Sequence, residues 1–276
     1  MEPAGPLFHY TNSAGFLGIV RSGQLWASDA EFLNDAQELQ YGREQLYRAL
    51  LEQAASTEHL HQPGSAEASR ATVMRSAAAH LFPGGPFASK AYHAVYVACF
   101  CDDGDVLSQW RGYASGGGYA LGFDRDILGS VAIGDLATEP EVSPVQYGAS
   151  AIPAMVETVL SSVAPFPTGH PGATGFGRAA SVVLPALARV KHQAFAEERE
   201  WRLITTSQAT IGISFRSGPR WPVPYIPCTL PVGALQRVVM GPGPDAGLRE
   251  RGLNKLLSAN GLEDVQVGRS EAPFRG

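Results

Sequence analysis

The sequence predicts a single α+β domain spanning residues 1–276, a strand-rich core carrying helical insertions. Three observations point there. Short apolar runs rich in aromatic and β-branched residues recur along the chain and crowd its last third. Amphipathic helical segments fall between them irregularly, without the alternation of a doubly wound sheet. Neither a G-x-G-x-x-G after a strand nor a Walker sequence occurs, so the common nucleotide-binding signatures are absent. Hydrophobic residues make up 45% and charged residues 17% of the chain. That is ample apolar surface for a core and too little charge for a disordered chain. The 31 Gly and 20 Pro have no period, which excludes a collagen-like repeat.

The elements follow in order. Leu7–Tyr10 is a short apolar strand, and Asn12 and Ser13 are N-cap types ahead of the apolar face Phe16, Leu17, Ile19 and Val20. Gly23 suits the C-cap of that helix. Leu25–Ala27 returns to a strand, and Asn34–Asp35 caps a second helix with Leu39, Leu46 and Leu50 on its buried side. Residues 54–90 are rich in Ala, Ser, His and Pro and read as an insertion, with a helix over 66–81 and a break at Pro83–Pro86. Ala94–Phe100 and Gly118–Phe123 are buried strands. Helices are expected over 152–163 and 179–196, flanking a second Pro/Gly-rich insertion at 164–178. Strands at 201–206, 211–216, 223–229, 235–240 and 265–267 and a helix over 246–259 complete the chain.

Charge and cysteine usage narrow the function classes. The net charge is -5, and only three of 21 cations are lysine (Lys90, Lys191 and Lys255). Non-specific coating of nucleic acid needs clustered cations, so that class is disfavoured. Cys99, Cys101 and Cys228 offer neither a disulfide framework nor a zinc spacing, and buried thiols in strands are expected. His59-Leu60-His61 has no metal-spaced neighbour and reads as surface, so no metal is expected. The first residues, Met1–Pro6, carry no basic segment and no apolar run, and no stretch reaches the roughly 18 apolar residues of a membrane span. A cytoplasmic location without membrane contact is the expectation; the oligomeric state is left open.

Four groups of residues could carry chemistry. His9, Tyr10 and Thr11 end a short strand and could present an imidazole to a cleft, or simply be core. Ser28 follows the second strand. Trp110 and Tyr113, three apart on a helix, flank Arg111, whose planar fork suits a phosphate, and Gly116–Gly118 allow close backbone approach or a turn. The densest group is Glu197–Arg202, with three glutamates and two arginines in six positions. An extended backbone there would put Glu198, Glu200 and Arg202 on one face. Such a group is either a solvated ion pair or a site.

These motifs together resemble the bacterial domain-of-unknown-function 2971 (DUF2971) family. The resemblance rests on His9-Tyr10-Thr11, Gly23-x-Leu25-Trp26-x-Ser28 and Asn34-Asp35-x-x-Glu38 in the first block. Cys99-Phe100, Leu107-Ser108-x-Trp110-x-x-Tyr113 and Gly118–Phe123 form the second. Lys191-His192, Glu198-x-Glu200-Trp201-Arg202, Val238–Pro242 and Ser270-x-x-Pro273-Phe274-Arg275 form the third. The start, with its Phe16-Leu17-x-Ile19-Val20 helix, is also similar to DarT-like ADP-ribosyltransferases. That second resemblance implies a split-sheet transferase fold with NAD as substrate. It further implies ADP-ribose transfer to a nucleic acid or protein, in a toxin or phage-defence effector. It casts Glu200, Glu198 and His9 as catalytic, and His9, Tyr10, Thr11, Ser28, Trp110, Arg111, Tyr113 and Arg202 as NAD-binding. Such a site requires His9 and Glu200 in one cleft. The competing readings are a metal-dependent nuclease or hydrolase using Glu198, Glu200 and His9, and a non-catalytic module binding a nucleotide or partner through 110–118.

Overall fold

In a computed structural model the described residues are 5–33, 36–62, 64–81, 94–114, 116–134, 137–163, 183–207, 212–218 and 220–273. β1 (Leu7–Thr11) leads into α1 (Ser13–Ser22) and β2 (Gln24–Asp29). The caps of α1 are those expected. The Asn12 side chain accepts from the Gly15 amide, and Gly23 closes the helix at φ 63°, a left-handed conformation that glycine adopts without strain. α2 (Ala36–Leu60) and α3 (Ala66–Leu81) follow, then β3 (Ala94–Cys101), α4 (Leu107–Tyr113), β4 (Tyr119–Phe123) and the short α5 (Arg125–Leu128). After these come β5 (Glu141–Pro144), β6 (Gln146–Tyr147), α6 (Ile152–Val163), β7 (Val190–Lys191) and β8 (Glu200–Ser207). The chain closes with β9 (Ser214–Ser217), β10 (Pro222–Thr229), β11 (Leu235–Met240), α7 (Ala246–Ser258) and β12 (Gln266–Arg269). The α+β class predicted from sequence is what the chain forms.

One large sheet runs β12-β11-β4-β1-β3-β2-β10-β9, with β8 also on β3 and β5 on β8. It is mainly antiparallel; β11 and β12 pair in parallel. Its centre is β3. One edge of β3 pairs β8 along its whole length, from Ala94 opposite Ser207 to Cys101 opposite Glu200. The other edge is shared. β1 holds only its end, through Phe8 opposite Cys101, while β2 holds its start, through Ser28 opposite Val97 and Asp29 opposite Tyr96. β1 then follows β4 and β2 follows β10, so the sheet divides along that edge of β3.

Side chains alternate across this sheet and fill three apolar clusters. On one face, α2, α3 and α6 cover Val95, Val97 and Ile204. On the other face, Phe16 of α1 and Leu253 and Leu257 of α7 pack with Tyr96, Phe100, Leu121, Phe123 and Leu203. Beside the helical layer, Phe8, Tyr10, Cys101, Trp110, Ala120 and Val239 form a third, smaller cluster.

Two expectations change. Within residues 54–90, α3 covers 66–81 as predicted, but α2 runs on to Leu60 and the pair is part of the core. Ala54, Ala71, Met74, Ala78 and Leu81 are all buried in the first cluster. The helix expected over 179–196 is helical in its described part only at 183–188, after which β7, parallel to β6, and a 3-10 turn (Gln193–Glu198) take over. The Asn34–Asp35 cap and the 164–178 insertion lie outside the described residues.

Leu50 lies with no exposed surface in the helical layer. Leu50→Ala is expected to cost about 2–5 kcal/mol, read from the urea midpoint, because the lost methylenes leave a cavity. Leu248→Ala, at 64% exposure, is expected to move it by no more than about 0.5 kcal/mol.

Candidate functional site: a buried carboxylate and cation cluster

The segment 190–202 builds a compact polar group. After β7, the His192 ring accepts from the Ala194 amide and caps the 3-10 turn. Arg199 then adopts a left-handed conformation, at φ 43°, and reverses the chain so that Glu200 enters β8. Few non-glycine residues adopt that region. Its guanidinium is held from outside by Asp102 (3.1 Å) and Asp103 (2.8 Å). Glu198 is therefore not on the strand, and the expected one-face alternation holds only for Glu200 and Arg202. Glu198 joins them by a different route, across the turn.

Glu200 and Arg202 are both buried. Arg202 donates to both carboxylate oxygens, Nε to Oε1 at 2.6 Å and Nη2 to Oε2 at 3.0 Å, and its Nη1 donates to the Ala188 carbonyl at 2.7 Å. Lys191 Nζ, on a side chain with 1% exposure, bridges the two glutamates, reaching Glu198 at 2.8 Å and Glu200 at 3.1 Å. The Tyr147 hydroxyl accepts from the Glu200 amide at 2.8 Å. Burial opposes the charge on Glu200, but the charge and hydrogen bonds of Arg202, with Lys191 behind them, outweigh it and hold the carboxyl at about 2. Burial pushes the Tyr147 phenol up to about 12 and raises the neighbouring Cys99 thiol well above its ordinary value. The group thus joins the ionised Glu200 carboxylate to Arg202 and Lys191, and Lys191 in turn to Glu198. It reaches solvent through Glu198, whose side chain is 16% exposed.

His9 does not join it. Phe8 lies opposite Cys101, and Cys101 opposite Glu200, so these three side chains share a face. His9, one residue on, points to the other face, where its ring meets Phe100 edge-on at 5.9 Å. Its Nδ1 pairs with the Cys99 carbonyl at 2.9 Å, and burial lowers its pKa, so it is neutral at pH 7. His9 and Glu200 therefore do not line one cleft. The imidazole fills the place left open on β3 where β1 departs and β2 has not yet joined.

The other predicted residues scatter. Tyr10 is buried, donating to the Asp103 carbonyl and accepting from the Val106 amide, both at 2.9 Å. Trp110 is 2% exposed, packs on Tyr10 and donates to Asp105 at 2.7 Å. Both hold α4 against β1. Arg111 and Tyr113 are exposed on α4, so Trp110 and Tyr113 do not form one aromatic face. Thr11 ends β1 opposite Tyr119, and Ser28 is buried on β2. The glycine run serves packing: Arg249 donates to the Gly117 and Gly241 carbonyls, and a Cβ on Gly118 would come within 2.4 Å of the Thr11 carbonyl oxygen. All three cysteines are free and sit in strands, as expected. Lys191 and Tyr147 were not anticipated as site residues. The one available signal was a lysine directly after the apolar Val190, in a chain with only three.

The model of a family described as "Protein of unknown function (DUF2971)" matches residues 109–203, from α4 into β8. The matched region contains Tyr147, Lys191, Glu198, Glu200 and Arg202; His9 and Ser28 lie before it. No curated protein and no solved structure matches the chain. Among the described residues, no helix is long and apolar enough to cross a membrane.

Because the folded-state pKa of Glu200 lies below its ordinary value of 4.5, its stabilising contribution is complete above that value. It is lost as the pH falls through about 2. Glu200→Gln also leaves two buried cations short of a partner and is expected to destabilise by about 3–5 kcal/mol at neutral pH. Urea midpoints of the two proteins should converge as the pH is lowered below 4.5. Parallel curves across that window would contradict the pairing.

Proposed function

We propose that this member of the DUF2971 family cleaves the nicotinamide–ribose bond of NAD and passes ADP-ribose to a nucleic acid or protein. Its setting would be that of a bacterial toxin or phage-defence effector. The observation that carries the reading is the Glu198–Glu200 pair, bridged by Lys191, with Arg202 on Glu200, and open to solvent at Glu198. Cleavage breaks the C1′–N bond; nicotinamide leaves with the electron pair, and positive charge develops on the ribose. A fixed anion in a poorly solvated site stabilises that charge strongly. The acceptor then bonds to C1′ and yields its proton to Glu198, the carboxylate of the pair that reaches solvent. A sheet divided along β3 agrees with the split sheet that the DarT-like resemblance implies. His9 and Glu200 lie on opposite faces of the sheet, so the shared cleft that the resemblance requires is not formed; this counts against the transferase reading, which rests on the two glutamates alone.

A second reading is favoured by one specific contact: both Glu200 oxygens are already engaged by Arg202, and Lys191 adds to one of them. A carboxylate so occupied suits a non-catalytic nucleotide-binding or partner-binding module. The metal-dependent hydrolase reading is weakened by the same geometry, since the Lys191 ammonium sits between the two carboxylates where a metal ion would bind.

Incubation of the protein with labelled NAD and bacterial lysate is expected to release nicotinamide and label a macromolecule. Glu198→Gln and Glu200→Gln should each lower the rate at least about 100-fold, a usual loss for a preorganised electrostatic group. His9→Gln should lower stability and leave the rate of the folded protein within a few fold. Saturable nucleotide binding without nicotinamide release would select the non-catalytic reading, and a rate unchanged in both glutamate variants would overturn the proposed site.

A further inference from the structure

The sheet face that carries Glu200 also carries, on β2, β9 and β10, an exposed group that the cluster does not use. Trp26 and Tyr225 stack at 4.5 Å between ring centroids and 26° between planes, and Trp26 is 41% exposed. Tyr225 lies directly opposite Ser28 in the ladder, and Ser28 is opposite Val97. Val97 and Cys101, four apart on β3, share a face, and Cys101 is opposite Glu200. The aromatic pair and the carboxylate cluster therefore lie on one side of the sheet, offset by about 13 Å along β3 and by about 14 Å across the three strand spacings from β8 to β10.

Arg216 completes the group. It extends from β9 across β10 and donates from Nη2 to Ser28 Oγ at 3.2 Å. Its guanidinium thus lies over the strand that carries Tyr225, on the side of Trp26. No carboxylate among the described residues pairs with it. Burial lowers its pKa, as for a cation that has left water without gaining an anion. Two stacked rings, Trp26 exposed and Tyr225 half-buried, beside an arginine that no described carboxylate pairs, form a surface for a flat, anionic ligand. Aromatic faces accept any nucleobase, and a guanidinium fork matches a phosphate.

We propose that Trp26, Tyr225 and Arg216 form a nucleotide subsite, with the base stacked on the Trp26–Tyr225 pair and a phosphate on Arg216. The assignment rests on the NAD reading in one respect: it gives the adenylate half of that substrate its seat. The probe is accordingly AMP, which has no nicotinamide bond to cleave, so a failed subsite and a failed transferase give different results.

The titration follows the heat of binding by calorimetry on addition of AMP, adenosine or a short oligodeoxyadenylate. Saturable binding of AMP is expected, weakened about tenfold or more in Trp26→Ala and in Arg216→Gln. Adenosine, lacking the phosphate, should bind the native protein and Arg216→Gln alike. Binding of the oligonucleotide alone, lost in the same two variants, would uphold the subsite with single-stranded nucleic acid as the source of the nucleotide. Circular dichroism checks that both variants are folded, and Arg216→Gln leaves the aromatic pair in place should Trp26→Ala unfold. The subsite is overturned if no probe binds, or if both folded variants bind AMP and the oligonucleotide as tightly as the native protein does.

Discussion

A strand has two hydrogen-bonding edges, and β3 must serve three partners. β8 takes one edge completely, so β1 and β2 divide the other. Since β1 and β2 are joined through α1, they run parallel and cannot both lie on the same stretch of β3. A backbone group is left over between them, the Cys99 carbonyl. A buried carbonyl without a partner costs free energy comparable to a lost hydrogen bond. His9 supplies that partner. The division of the sheet, the direction of His9 and the placing of Tyr10 and Trp110 against Asp103 and Asp105 all follow from how this one strand is shared.

The second constraint is electrostatic. Placing Glu200 and Arg202 two residues apart on a buried strand puts opposite charges side by side, but two charges out of water are stable only with full hydrogen bonding. The chain meets that condition from three directions: Arg202 as a fork on the carboxylate, Lys191 across from β7, and the Ala188 carbonyl behind the guanidinium. Arg199 makes the geometry accessible by turning the backbone where an extended run would have carried Glu198 away. Its strain is met by two aspartates that follow β3, so the same strand that divides the sheet also supports the turn into β8.

Much of the fold was legible in the residues. The Asn12 and Gly23 caps, the helix at 66–81 and the apolar runs of β3, β4, β10 and β11 each announce themselves through local chemistry. So did the polar density at 197–202. What it meant was less legible. Glu198 and Glu200 appeared to share a strand face, whereas a left-handed residue stands between them. Lys191 lay outside the predicted site because a helix was expected there, and no local signal shows that a lysine points inward. His9 could serve a cleft or fill the core, and nothing in its neighbours reveals which side of the sheet it takes.

The sequence alone determined the class of fold, most element boundaries and the types of residue available for chemistry, because propensity, capping and periodicity act over a few positions. The tertiary structure alone decided which of those residues meet. Side-chain direction on a strand depends on register, and register is set by partners distant in sequence: Phe8 opposite Cys101, and Cys101 opposite Glu200. A shift of one residue reverses every side chain on the strand. That parity separated His9 from the carboxylates and set Trp26, Tyr225 and Arg216 on their side of the sheet.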